Sequence, residues 1–598
     1  MKMKKKKAEE DLFGLKVFPT FAPTYTLFIY KWTLLNTYKQ NNLMNKHFTH
    51  LMAALCWLLP LTAGAQGTQY ATNGLSKNPD KFLGNITTGW NGMDVNGLTY
   101  YKLWNQVTPE NASKWASVEG NRGTYNWNCD TPFNYAKNNN FPYKFHALVW
   151  GSQYPDWFNN SLSITERFNA IENWFTKVRG HYSSLPMIDV VNEAVGMHQQ
   201  GNPLMKESLG GGGKTGYDWL IKAFEMAYER FPNSILIYND YNSIQNDVDN
   251  YLTLVQALRD AGAPIDAYGN QAHDVNNISS TNLRNVLNRQ QNTLKMPMFI
   301  TELDINIQNN TQQKTQYQNV LPVMWEADYC AGITLWGYIY GSTWVDHSGL
   351  YNGSTPRPAM DYIKEYMATE KAKTAKSPYP GMKKRVGVYI RPKDYKVAKG
   401  DVLPIKVRTH ITTDAKKEKS DIAIEKVELY VGSLNTSNGT FTGNLINTMT
   451  EEPYITEYAV PTTSTGIKTL KATVYTNDGN KYDRYARFEV LSSTVKREPF
   501  NEKPFELPGT INCAEYDKGA SGVSYYNGVG RSATTATKND GWMEYTVDVK
   551  EPGIYSFDAE IAAASKGGVF HLSEYGFDDL TYYSDFVEVP ATGSNSTY

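Results

Sequence analysis

Two glutamates interrupt segments that otherwise suit a protein interior. Residues 188–195 read IDVVNEAV and residues 299–305 read FITELDI, so Glu193 follows Asn192 at the end of one apolar run and Glu302 sits inside another. Two carboxyl groups that face each other can cleave a glycosidic bond. One, held protonated, donates to the leaving oxygen; the other, ionised, attacks the anomeric carbon or activates a water. Proximity helps to divide the roles, because ionising one raises the pKa of the other. Each Glu taken alone could equally be half of a structural salt bridge. The chemistry requires that both be carried to one place.

The elements that could carry them lie between about residues 80 and 370, where apolar runs alternate with amphipathic helical patterns. The strands read are GNITT (84–88), KLWNQVT (102–108), KFHALVW (144–150), MIDVVNE (187–193), SILIYND (234–240), DAYGNQA (266–272), PMFITELD (297–304) and GITLWGY (332–338). Among the helices, residues 163–180 place Ile164, Phe168, Ile171, Phe175 and Val178 on one stripe, opened by a Ser163–Glu166 capping box. Residues 217–231 and 247–261 repeat the pattern, the latter stopped by Gly262. Eight such units predict an α/β chain folded as a (β/α)8 TIM barrel. An open doubly wound sheet is the alternative, but no glycine-rich phosphate loop follows the first strand. In a barrel the C-terminal strand ends share one face, so Glu193, ending the fourth strand, meets Glu302 on the seventh.

The motifs NQVTPENASKW (105–115), HALVWGSQYPDW (146–157), DVVNEAV (189–195), NQAH (270–273), ITELDI (300–305) and TLWGYIYGSTW (334–344) together resemble glycoside hydrolase family 10, the retaining endo-β-1,4-xylanases, across essentially all of residues 80–370. The resemblance implies a general acid/base at Glu193 and a nucleophile at Glu302, with the two carboxyls roughly 5–5.5 Å apart for retention. It implies supporting roles for Asn192, which contacts the sugar 2-hydroxyl, and for His273, which is tied to Asp304 and keeps Glu302 ionised. Glu110, Asn111 and Lys114 correspond to the patch that grips the next sugar on the non-reducing side. His146, Trp150, Gln271, Trp336 and Trp344 correspond to the walls of the site, although the tryptophans could also be barrel packing. One departure is Gly151, where many members have a histidine; its loss is expected to widen or soften the non-reducing side of the cleft. Cys330 stands where relatives often have half of a disulfide, and without a nearby partner it reads as a free buried thiol. No metal or other cofactor is required for the chemistry. Two further readings stay open: a same-fold retaining β-glycanase acting on cellulose or mixed-linkage glucan, and an inactive polysaccharide-binding protein.

Two all-β sandwich-type modules are expected after the barrel (residues 70–370). Residues 371–386, basic with two prolines, read as a solvated linker. Residues 387–492 read as an immunoglobulin-like β-sandwich without helices, and 493–510 as a second linker. Residues 511–598 resemble carbohydrate-binding module family 6 and look C-terminally incomplete. That resemblance implies a structural calcium position at Glu515 and sugar stacking by Tyr525, Tyr526 and Trp542.

The 598-residue chain has a formal net charge of -1, which gives no electrostatic reason to expect nucleic acid, and it is rich in aromatics, with 42 Tyr and 14 Trp. Residues 44–65 have the basic start, apolar run and small-residue end of a signal peptide, so the expected location is extracellular and the expected partner is xylan or related plant cell-wall polysaccharide. Residues 1–43 then read as a miscalled upstream extension. No stretch reads as a transmembrane helix. Beyond Cys56 in the apolar run, Cys129, Cys330 and Cys513 are too scattered for a disulfide framework or a metal cluster.

Overall fold

Strands β1 (Phe82–Ile86), β2 (Val107–Thr108), β3 (Lys144–Trp150), β4 (Met187–Asn192), β5 (Ile235–Asp240), β6 (Ala267–Asn270), β7 (Met298–Leu303) and β8 (Cys330–Leu335) form one parallel sheet. The computed structural model describes residues 2–5, 73–89, 92–526 and 540–594. The segment read as a signal peptide, and residues 6–43 of the stretch before it, lie outside the described residues. Lys2–Lys5 run antiparallel to Tyr555–Asp558. Every residue of β1, β2, β4, β5, β6, β7 and β8 is buried, as expected for strands covered on both faces. The sheet curls on itself: β1 pairs with both β2 and β8, and the remaining seam is closed by a bridge between Val107 and Tyr143. β2 is shorter than its sequence suggested, because Tyr100–Lys102 form a 3-10 turn.

The longer helices between the strands are α1 (Asp130–Asn138), α2 (Ile164–His181), α3 (Asp218–Arg230), α4 (Val248–Asp260), α5 (Ser280–Leu294), α6 (Asn310–Glu326) and α7 (Pro358–Met367). The capping box at Ser163 and Glu166 is formed in both directions. Gly262 ends α4 with φ +70°, and a Cβ there would lie 2.7 Å from the carbonyl oxygen of Ile390. That glycine therefore serves a turn and a close contact with the next module at once.

Residues 371–386 are not a solvated connector. They include short helices at Glu370–Lys373 and Tyr379–Lys383. Tyr379 and Met382 are buried against Phe82, Met187, Ile235 and Phe299, whose side chains cluster near the N-terminal ends of the barrel strands. The Tyr379 ring stands edge-on to Phe82 at 5.3 Å. The lysines are half-buried or exposed, while two apolar residues three positions apart plug the barrel floor.

The following module has two facing sheets. Strands β9 (Val386–Pro392), β11 (Val402–Ile411) and β14 (Ile455–Ala459) form one; β10 (Lys396–Val397), β16 (Lys481–Val490), β15 (Gly466–Thr476), β12 (Ile424–Asn435) and β13 (Thr440–Met449) form the other. Between them lies a core that includes Ile390, Leu403, Ile405, Val427, Leu429, Leu470 and Phe488. Contrary to the helix-free reading, Thr413–Glu418 form a helix, capped by Thr412. The second expected linker also carries structure: Phe505–Leu507 pair in parallel with Val547–Val549. Farther on, the described chain forms short antiparallel strand pairs, Tyr525–Tyr526 with Trp542–Met543 among them.

Buried charges join the modules. Arg385 makes a two-point contact with Asp266 at 2.7 and 3.1 Å, and Arg391 meets Glu225 at 2.6 Å. Lys214, on the barrel, contacts both Asp394 and Glu544, and Arg497 reaches the same two carboxylates. Glu225 also accepts from the backbone N–H of Leu580 at 2.8 Å. Replacing Glu225 by alanine leaves the Arg391 guanidinium buried without its counter-ion, and should cost about 3–5 kcal/mol in urea unfolding. Glu225→Leu combined with Arg391→Met should recover most of that loss. A cost of the single substitution below about 1 kcal/mol would show that water reaches the pair.

Candidate active site

The C-terminal ends of the strands bring the two glutamates together. Glu193 follows β4 in a left-handed conformation, φ +59°, which turns its side chain out of the strand direction. Glu302 is the fifth residue of β7. Both are buried, at 8% and 4% exposure. A chain of amides connects them. Gln271 Nε2 donates to Glu193 Oε1 at 2.9 Å and to Asn192 Oδ1 at 3.2 Å. Asn239 Nδ2 donates to Asn192 Oδ1 at 2.9 Å and to Glu302 Oε1 at 2.7 Å. Thr301 Oγ1 donates to Asn239 Oδ1 at 2.6 Å, fixing which end of that amide faces the carboxylate.

The environments of the two carboxyls push their pKa values apart. Burial raises that of Glu193, and the negative charge of Glu302 raises it further; hydrogen bonds from Gln271 and Trp150 pull part of the way back. Burial also disfavours the Glu302 anion, but the hydrogen bond from His273 and the positive field of His146, His273 and Lys144 outweigh it, lowering the value to about 2. His273 Nε2 lies 3.3 Å from Glu302 Oε2, and its Nδ1 lies 3.0 Å from Asp304 Oδ2. Burial works against the imidazolium, yet those two carboxylates prevail and push it up to about 10. The two carboxyls of one network are thus pushed in opposite directions, the division of labour that general acid catalysis beside a nucleophile needs.

Residues from further segments surround the pair. After β2 come Glu110, Asn111 and Lys114; Lys114 Nζ donates to Asn111 Oδ1 at 2.9 Å and lies 4.6 Å over the Trp150 ring. Burial lowers the Lys114 pKa, with Glu302, Glu110 and Glu193 opposing, and burial raises that of Glu110. On β3, His146 Nδ1 is 2.9 Å from Asp189 Oδ2, which also pairs with Lys144 at 2.7 Å, and Trp150 Nε1 donates to Glu193 Oε2 at 2.8 Å. Trp336, after β8, stands edge-on to His146 at 5.3 Å. Trp344 donates from Nε1 to Asp304 Oδ2 at 2.7 Å yet remains 55% exposed, so its ring forms part of the rim. The Nδ2 of Asn192 is buried with no acceptor among the described residues, leaving a donor free beside both carboxyls.

The family model described as glycosyl hydrolase family 10 matches residues 78–366. An endo-1,4-beta-xylanase B of Cellvibrio japonicus (strain Ueda107) is 41% identical over 285 residues, covering 47% of this chain and 45% of that protein. An endo-1,4-beta-xylanase of Agaricus bisporus is 32% identical over 269 residues, covering 42% of this chain and 76% of that protein. The chain belongs to glycosyl hydrolase family 10. Among solved structures, native xylanase 10B from Thermotoga maritima is similar at 23% identity and a TM-score of 0.43, covering 50% of this chain and 98% of that one. The chain spans less than half the length of the Cellvibrio relative.

Within this family 10 chain, the expected barrel residues gather on one face, but Gly151 does not open the cleft. A Cβ at residue 151 would lie 2.2 Å from Asn202 Oδ1 and 2.6 Å from its backbone nitrogen. Asn202, in the loop after β4, occupies the space. Cys330 is buried and free, as read from the sequence. Asn239 and Gln199, whose Nε2 donates to Glu193 Oε2 at 2.5 Å, were not anticipated. Asn239 carried a usable signal, since it too is a polar residue ending a buried strand. Tyr525, Tyr526 and Trp542 lie in the C-terminal module, where Tyr526, half-exposed, stacks on Trp542 at 6.4 Å and Lys214 lies 5.5 Å over the Trp542 ring. Among the described residues no three His, Cys, Asp or Glu side chains gather to hold a metal ion. No described helix is long and apolar enough to cross a membrane.

Proposed function

We propose that this chain is an exported endo-1,4-β-xylanase that hydrolyses internal xylosidic bonds with retention of configuration. The observation that carries the reading is the asymmetric carboxyl pair, Glu193 raised and Glu302 lowered, tied together through Gln271, Asn192 and Asn239. The xylanase names of the family 10 relatives support xylan as substrate. The signal-like segment at 44–65 supports export.

In the first step a Glu302 oxygen attacks the anomeric carbon as the bond to the leaving oxygen breaks and Glu193 transfers its proton to that oxygen. The free Nδ2 of Asn192 donates to the sugar 2-hydroxyl, a contact that tightens as charge develops on the ring. Glu193, now ionised, removes a proton from water, and the hydroxide so formed displaces Glu302 from the anomeric carbon. Two inversions give net retention. Glu110, Asn111 and Lys114 hold the neighbouring sugar, while His146, Gln271, Trp150, Trp336 and Trp344 enclose the reacting ring. The steps use proton transfer and carboxylate attack alone, without a metal. The C-terminal module is a carbohydrate binder in this reading, supported by the stacked Tyr526–Trp542 pair, and would raise the local substrate concentration.

Proton NMR during xylan digestion tests the reading. The β-anomer should appear first and the α-anomer only by mutarotation, with initial rates on xylan exceeding those on carboxymethylcellulose. Initial α-anomer would overturn the mechanism, faster carboxymethylcellulose cleavage the substrate, and a lack of reducing ends the activity itself.

A further inference from the structure

The loop after β4 reaches back over the glutamate it follows. Glu193 Oε2 accepts from Trp150 Nε1 at 2.8 Å on one side and from Gln199 Nε2 at 2.5 Å on the other. Asn202 Nδ2 donates to the backbone carbonyl of Glu193 at 2.7 Å. The loop is fastened in turn to β3's C-terminal extension: the Gly201 N–H donates to the Gly151 carbonyl at 2.8 Å. Neither crossing residue has room for a side chain, since a Cβ at Gly201 would meet Tyr154 at 2.2 Å and the Gly151 carbonyl oxygen at 2.6 Å. Asn202 is fully enclosed, at 1% exposure, in the place a side chain at residue 151 would take.

We propose that Gln199 is a positioning residue for the acid/base carboxyl: its amide N–H fixes Glu193 Oε2 and favours its ionised form, and the loop that delivers it can dock only because residue 151 is glycine. The inference rests on the reading of Glu193 as acid/base. A third N–H donor on that carboxyl resists protonation before the first step and favours the anion on which water activation depends. The other groups acting on Glu193 come from neighbouring segments: Glu302 and His146, with Lys114, Asp240 and Tyr241. His198, in the same loop, faces Asp247 at 3.5 Å and the Tyr241 ring instead. None of these is altered by changing Gln199, so a shift on its removal reports the lost donor.

The test is the pH dependence of kcat/KM on xylan. Activity needs protonated Glu193, so it declines above that group's pKa. Gln199→Ala should move the alkaline limb up by about one pH unit, the scale of one charge-assisted hydrogen bond. Gln199→Glu, which adds a like charge, should move it further up. Gly151→Ala should displace the loop and shift the limb in the same direction, and adding Gln199→Ala to it should then change little. A Gln199→Ala limb at the parent's position or below it overturns the proposal, as does full additivity of the two substitutions. The same upward shift should be read without turnover from the ¹³C carboxyl resonance of Glu193, assigned by its loss in Glu193→Gln. A parent that releases no sugar would overturn the activity reading instead, leaving that resonance to decide on Gln199.

Discussion

Glu302→Ala is expected to lower kcat/KM on xylan by about 10⁵-fold, the scale of deleting a covalent nucleophile. Substrate binding should be largely kept, because the side chains assigned to hold sugar remain. Asn239 Nδ2 and His273 lose an acceptor, but each keeps another, Asn192 Oδ1 and Asp304 Oδ2, so the variant should fold. The decisive measurement adds azide to this variant. With the carboxylate gone, a small anion has room to attack the anomeric carbon from the vacated side, and a single inversion should yield an α-xylobiosyl azide from an activated aryl β-xylobioside. If the variant keeps more than about one per cent of parental activity, Glu302 is not the nucleophile.

The barrel and its two carboxyls were readable for one reason. A carboxylate ending an apolar strand contradicts its surroundings, and such a contradiction can be seen without coordinates. Asn239 offers the same discord in SILIYND, and its partners emerge once β4, β5 and β7 are set side by side. Gln199 and Asn202 offered nothing comparable. They lie in a polar loop without period, and their contact with Glu193 depends on two glycines, 151 and 201, whose backbones cross. The absence of a histidine at 151 was visible, but what filled its place was not. That is why the sequence suggested a wider cleft where the structure has a packed one.

Composition misled in a different way between the barrel and the first sandwich. Five lysines and two prolines in residues 371–386 describe the outer surface of that segment, whereas Tyr379 and Met382 determine where it sits. Paired charges such as Arg391–Glu225 and Arg385–Asp266 are also invisible in sequence, since each residue alone suits a solvated face. Pairing is what allows them to be buried.

Glu193→Ala should separate the two chemical steps. On xylan, whose leaving sugar oxygen needs a proton, kcat/KM should fall by about 10²–10⁴-fold. An aryl xylobioside with an acidic phenol needs no such help, so its first step should proceed and the second, deprived of a base, should stall. The glycosyl-enzyme at Glu302 then accumulates, seen as a burst of phenol and a mass increase of one xylobiosyl unit. Azide, which needs no base, should discharge it as the β-azide, opposite in configuration to the product from Glu302→Ala. The pH profile carries the same assignment. In the parent, activity on xylan should hold from above about 2, where Glu302 ionises, up to the raised pKa of Glu193, and decline beyond it. For the first step on the activated substrate, Glu193→Ala should remove that alkaline decline and leave the acidic limb where it was. An alkaline limb that survives the substitution would belong to another group, with His273, titrating near 10, the first to examine.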